Sequence, residues 1–232
     1  MAFHIQAPFF EIGPKAYMYG DEALALAKAA EAASKQFGIT CIFTPQLTDI
    51  HLIAQNTNGL LICAQKIDPI PVGRGQGSIL AEAVKAAGAS GAMLNHVECA
   101  SKIADIRACI LRCREVGLFS IVCADSIAEA SAIARLGPDI IVAEPSELIG
   151  TGTTSDEEYV LASTKAVKDV DPSIYVLQGA GISNADDVYR VIRAGADATG
   201  SSSAVCKAKD PAKMIREMFQ AARHAYDERS AK

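Results

Sequence analysis

The chain has 232 residues, half of them apolar, and a formal charge of −5 with acids and bases mixed along its whole length. That supplies one sizeable core, consistent with a single domain over residues 1–232. It offers no basic footprint for nucleic acid and no run of ~18 uncharged apolar residues for a membrane helix, and the opening MAFHIQAPFF does not read as a signal peptide.

Taken in chain order, short β-rich runs alternate with helical patterns. FFEI (9–12) is the first strand candidate. DEALALAKAAEAASKQ (21–36) is an Ala-rich helix with Asp21 as its expected cap. CIFTP (41–45) and LLICAQ (60–65) follow as strands, then KIDPIPVGRGQG (66–77), whose Pro and Gly punctuation reads as a protruding loop. AMLNH (92–96) is the fourth strand candidate. In the helix of 101–116, Ile103, Ile106, Ile110 and Leu111 follow a helical period. FSIVCAD (119–125), IIVAEP (140–145) and YVLQGA (175–180) are further strands, with a helix at 184–194 after the last. DATGS (197–201) is weak in pattern and is assigned as a strand because a helix follows it. At the C-terminal end Met214, Ile215, Met218, Phe219 and Ala222 form one apolar stripe, read as core packing. Seven strands rich in Val, Ile, Leu or Phe fit a parallel sheet covered on both faces. Eight strand–helix units in uninterrupted series point to an α/β fold, a closed (β/α)8 barrel, with a doubly wound open sheet as the competing arrangement.

Seven cysteines sit singly, mostly in apolar runs, with no CxxC, so a disulfide framework is not expected. Cys109 and Cys113 would share a helix face but lack two further metal ligands. Buried reduced thiols, no metal and a cytoplasmic location are the expectation.

In a barrel of this kind the site lies at the C-terminal strand ends. There the sequence places Asn95-His96 with Glu98 just beyond, Glu144-Pro145, GAGIS (179–183) and GSSSA (200–204). The two small-residue turns allow backbone amides to approach an anion, and barrels often bind phosphate after strands seven and eight; a ligand-free tight turn is the plain alternative. A carboxylate base and an imidazole facing one cavity can move a proton between neighbouring carbons and oxygens. His4, His51 and His224 are assigned to the core or the surface.

At these residues the sequence resembles the triosephosphate isomerases of the short archaeal type. LLICAQKIDPIPVG, MLNHVE, VAEPSELIGTG, LQGAGIS and KAKDP carry the resemblance over most of the chain. It implies cofactor-free interconversion of glyceraldehyde 3-phosphate and dihydroxyacetone phosphate, with Glu144 as base and a neutral His96 as electrophile. It also implies a lid over 145–153, phosphate-binding positions at Ile149, Gly150, Gly181, Ser202 and Ser203, and a homodimer or homotetramer packed through the 66–77 loop.

The first strand departs from the family's Asn-x-Lys within a run like NLKTY. Matching GPKAY to it puts Lys15 on the lysine and leaves Gly13 where Asn belongs; this register keeps a cation at the mouth. Strand alternation would turn Glu11, Gly13 and Lys15 to one side. A gap-free register leaves no lysine there, and Lys15 would then be an exposed loop residue. Ala204 stands where the phosphate loop usually has Gly, and Val97 replaces the Ser beside the histidine. These departures, and the room expected where the Asn side chain is lost, allow a longer sugar such as a tetrulose phosphate. A non-catalytic phosphate-ligand-binding paralogue is the reading from another class.

Overall fold

Interior-facing and helix-facing side chains alternate along every strand, and that alternation builds the barrel. The computed structural model describes residues 5–149, 151 and 154–231. Its strands are β1 (Phe9–Ile12), β2 (Thr40–Phe43), β3 (Leu61–Ala64), β4 (Gly91–Leu94), β5 (Phe119–Ala124), β6 (Ile140–Ala143), β7 (Tyr175–Gln178) and β8 (Ala198–Ser201). All pair in parallel, each with the next, and β8 returns to β1 with Phe9 opposite Ala198 and Glu11 opposite Gly200. The sheet is closed, which settles the choice against an open sheet.

In β1, Phe9 joins the inner cluster with Ile42, Cys63, Phe119, Ile121, Ile140 and Leu177. Phe10 points outward and stacks on Phe219, ring centroids 4.8 Å apart. The helices forming the outer layer are α1 (Gly20–Phe37), α2 (Ile50–Asn56), α3 (Ala81–Ala86), α4 (Ile103–Val116), α5 (Ile127–Ala134), α6 (Glu157–Lys168), α7 (Ala185–Arg193), α8 (Ser203–Cys206) and α9 (Pro211–Ser230). The C-terminal stripe lies on α9, which packs against α1 and α7.

Two details differ from the sequence expectation. Asp21 does not cap α1: the helix starts one residue earlier, and the Gly20 N–H donates to Asp49 Oδ2 at 2.9 Å, a carboxylate supplied from the next unit. The buried face of α4 is Ile106, Cys109, Ile110 and Cys113, while Ile103 and Leu111 are exposed. Five of the seven thiols are buried, Cys206 is partly so, and Cys99 is exposed. The 66–77 loop leaves the end of β3, and its residues 71–77 are exposed. Among the described residues no helix is long and apolar enough to cross a membrane.

Candidate active site at the C-terminal mouth of the barrel

Several strands end where the sequence turns polar, and the residues just beyond line one cavity of about 550 Å³. Lys15, His96, Glu144, Ile149, Gly181, Ser202 and Ser203 all line it. Gly150 lies outside the described residues, as do Gly152 and Thr153 of the 145–153 segment.

Glu144 follows Ile140 and Val142 on the inward side of β6, so alternation aims its carboxylate into the barrel. Its backbone N–H donates to Ala124 O at 3.0 Å, which ties it to β5. Gly179 stands opposite; a Cβ there would lie 3.2 Å from Glu144 Oε1, so the missing side chain leaves room for the carboxylate. Burial raises the Glu144 pKa, Lys15 lowers it by attraction, and Glu98 adds a smaller upward push. A base held above the usual carboxylate range, yet next to a cation, suits proton abstraction near neutral pH.

His96 caps a single 3₁₀ turn over Val97–Cys99: the Glu98 N–H donates to its Nδ1 at 3.1 Å. With Nδ1 accepting, a neutral ring carries its proton on Nε2. Burial lowers the His96 pKa, Lys15 lowers it further, and Glu98 opposes both. The imidazole is therefore held neutral, with one N–H to offer an oxygen. Asn95 fixes this turn. It adopts φ +57, its Nδ2 donates to Cys123 O at 3.0 Å and to Glu129 Oε1 at 3.2 Å, and its Oδ1 accepts from the Ser101 N–H at 3.0 Å.

Lys15 reaches the mouth, but not by strand alternation. β1 ends at Ile12, and Lys15 lies in the following turn at φ +48, a left-handed conformation that costs a lysine of order 1–3 kcal/mol. Gln46 and Gln65 hold its carbonyl, donating at 2.7 and 3.1 Å. Its Nζ donates to Glu98 Oε1 at 2.8 Å, which holds the Glu98 carboxyl below the usual range. A cation beside both Glu144 and His96 is placed where negative charge on a substrate oxygen would gather.

On the opposite side of the mouth, Gly181 takes φ +68, which only glycine adopts freely, so the turn after β7 brings backbone close to the cavity. Asn184 then caps α7 through the Asp187 N–H at 3.0 Å, and Asp187 Oδ2 accepts from the Ser183 N–H and hydroxyl. The Ser202 hydroxyl is buried at the cavity with no hydrogen-bond partner among the described residues. An unpartnered buried hydroxyl next to small-residue turns is what an oxyanion would satisfy.

Sequence reasoning did not single out Asn95, Gln46 or Gln65 as supports for the site. Asn before the histidine was a usable signal, because Asn tolerates positive φ. The glutamines left none, since their partner is a backbone carbonyl distant in sequence. His51 and His224 are exposed, and His4 lies outside the described residues. Among the described residues no group of three or more His, Cys, Asp or Glu side chains is arranged to hold a metal ion. The room expected at Gly13 is occupied: a Cβ there would meet Glu11 Oε1 at 2.9 Å.

Fold and mouth together define a (β/α)8 barrel whose C-terminal cavity gathers a buried carboxyl, a neutral imidazole, a lysine and two small-residue turns. The family model described as triosephosphate isomerase matches residues 12–218. The triosephosphate isomerase of Methanocaldococcus jannaschii is 41% identical over 204 residues, covering 87% of this chain and 93% of the relative. That of Saccharolobus solfataricus is 37% identical over 225 residues, covering 95% and 99%. The crystal structure of triosephosphate isomerase from Bartonella henselae superposes with a TM-score of 0.77, covering 94% of this chain and 99% of that one; at 17% identity it speaks for the fold alone. The chain belongs to the triosephosphate isomerase family.

Proposed function

We propose that this chain interconverts glyceraldehyde 3-phosphate and dihydroxyacetone phosphate through an enediolate. The observation that carries the reading is the convergence of Glu144, a neutral His96 and Lys15 on one cavity. Glu144 takes a proton from the carbon next to the carbonyl and returns it to the neighbouring carbon. His96 polarises the carbonyl through Nε2–H and passes protons between the two oxygens of the enediolate, the scheme the family resemblance implies. Lys15 offsets the charge that grows on those oxygens. No electrons leave the substrate, so the reaction needs no redox cofactor.

The Ser202 hydroxyl, Ser203 and the turn at Gly181 hold the phosphate, with Ile149 and Gly150 contributing as the 145–153 segment closes and excludes water. The 66–77 loop, exposed over 71–77, packs against a second copy of the chain in a homodimer or homotetramer. Light scattering at micromolar concentration should give a mass of at least two chains; a monomer would remove this part of the reading.

A coupled assay across three- to six-carbon sugar phosphates tests the whole. Turnover of the trioses with the highest kcat/KM is the expected result. Preference for a tetrulose phosphate would move the substrate but keep the chemistry. Binding without turnover would make the chain a phosphate-ligand receptor and defeat the proposal.

A further inference from the structure

β1 carries a second carboxyl that the acid–base scheme above does not use. Glu11 follows Phe9 on the inward side of the strand, and its side chain lines the same cavity as Glu144 and His96. Its two nearest potential neighbours on that surface, Gly13 and Gly200, have no side chains. A Cβ at Gly13 would sit 2.9 Å from Glu11 Oε1, and one at Gly200 would sit 3.0 Å from Oε2. Three positions, Glu11, Gly13 and Gly200, thus form one unit: the carboxyl fills space that side chains at the other two would contest.

The carboxyl is incompletely bonded. Thr44 Oγ1 donates to Oε1 at 2.6 Å, and among the described residues that is the one hydrogen bond it makes. Oε2 has none, although it borders the cavity. Burial raises the Glu11 pKa to about 7; the Thr44 hydrogen bond lowers it, Glu144 raises it, and Lys15 lowers it. Tyr17, Lys66, His96 and Glu98 line the same cavity, Glu98 being held by Lys15; the thiols that feel the Glu11 charge are Cys41 on β2, Cys63 on β3, Cys123 on β5 and Cys206 on α8, each with its pKa pushed upward by burial. These thiols stay neutral near pH 7, and Glu144 and Lys15 are the charges that act on Glu11. An ionised Glu11 would add a further negative charge, unpaired by any salt bridge among the described residues, where a phosphorylated substrate must enter and an enediolate must form.

We propose that Glu11 contacts the substrate in its neutral, protonated form, with Oε1 accepting from Thr44 and Oε2–H donating to an oxygen of the sugar phosphate at the floor of the mouth. This rests on the sugar-phosphate isomerase reading above. It makes Glu11 the donor in a mouth whose position 13 has no side chain to offer one. It also predicts an alkaline limb in the pH profile, because deprotonation removes the donor and leaves a repelling charge.

The test is kcat/KM on glyceraldehyde 3-phosphate from about pH 5 to 9 for the parent chain, Glu11→Gln and Glu11→Leu, since that parameter reports free-enzyme ionisations. The substrate's own phosphate titration is common to all three and cancels in the ratios. The parent should lose activity as pH rises through about 7. Glu11→Gln, whose amide can accept from Thr44 and still donate, should lose no more than about tenfold below neutrality and should lack that limb. Glu11→Leu should lose roughly ten- to hundredfold, the ordinary effect of a missing buried donor. The same alkaline limb in the parent and in Glu11→Gln, or an undiminished kcat/KM in Glu11→Leu, overturns the proposal. So does activity in the parent that rises through about pH 7 because of Glu11, since the ionised form would then be the working one. Should Glu11→Leu fail to fold, the Glu11→Gln profile alone decides. A parent inactive on every sugar phosphate defeats the functional reading, and this inference with it; an active parent indifferent to Glu11 defeats this inference alone.

Discussion

The barrel interior and its mouth are built on the same eight strands, yet local preferences are satisfied in one and repeatedly broken in the other. Inside, Phe9, Ile42, Phe119, Ile121, Ile140 and Leu177 are buried apolar side chains supplied by simple alternation. At the mouth, Lys15 and Asn95 hold positive φ, three carboxyl groups (Glu11, Glu98 and Glu144) share one cavity, and the Ser202 hydroxyl has no partner among the described residues. Departures of this kind persist where a ligand or a reaction compensates for them, so the contrast separates the part of the molecule that holds the fold from the part that does chemistry.

Substitutions at four positions probe this contrast, from the largest expected effect to the smallest. Glu144→Gln removes the base and should lower kcat by several orders of magnitude, at least the ~10²–10⁴ of general-base catalysis, with the thermal midpoint hardly changed. Near-normal turnover would refute the assignment. The proposed mechanism needs Glu144 ionised, and burial raises its pKa, so kcat/KM should fall on the acid side at a pH above the ordinary glutamate value. His96→Ala should slow kcat by roughly 10²–10³ and leave affinity for inorganic phosphate nearly intact. Weak phosphate binding with normal kcat would instead make His96 a binding residue. Lys15→Ala should reduce kcat/KM by about 10²-fold, and Lys15→Arg should restore only part, since a planar fork does not replace a compact ammonium. Retained activity in Lys15→Ala would return Lys15 to the role of a rim lysine.

Gly91→Ala works in the opposite region. A Cβ there would lie 2.2 Å from the Phe119 ring, so the ring must move, at about 1–3 kcal/mol by calorimetry or denaturant titration. The kcat of the folded fraction should stay within about twofold, because Phe119 lies in the inner cluster and does not line the cavity. A large rate effect would mean that interior and mouth are coupled rather than separable.

The same division explains what could be read from the amino acids. Seven strands were legible because continuous Val, Ile and Leu runs are what a sheet covered on both faces requires. The residues by which the candidate strands overran, Thr44-Pro45, Asn95-His96, Glu144-Pro145 and Gly179-Ala180, leave the sheet, and they contain much of the mouth. β8 looked weak because its outward residues are polar: Thr199 donates to Gln178 O at 2.7 Å and Ser201 to Ile182 O at 3.2 Å, bonds no local pattern announces. On α4 the expected stripe is half right: Ile106 and Ile110 are buried beside Cys109 and Cys113, which share their face, whereas Ile103 and Leu111 are exposed. Strand alternation put Glu11 on one side with Gly13. What could not be seen was that its carboxyl fills the place expected to be empty at Gly13, since that follows from the path of one side chain.

The seam between β1 and β8 also sets an order of events during folding. Phe9 meets Ala198 and Glu11 meets Gly200 across almost the whole chain, so these contacts carry the largest loop-closure entropy in the sheet. Glu11 and Lys15 come from one side of that seam, Ser202 and Ser203 from the other. The cavity is therefore not complete until the first and last strands meet. Helices can form before that closure, although α9 packs on α1 only when the seam brings them together, so secondary structure should return before activity on refolding, and regained turnover requires ring closure.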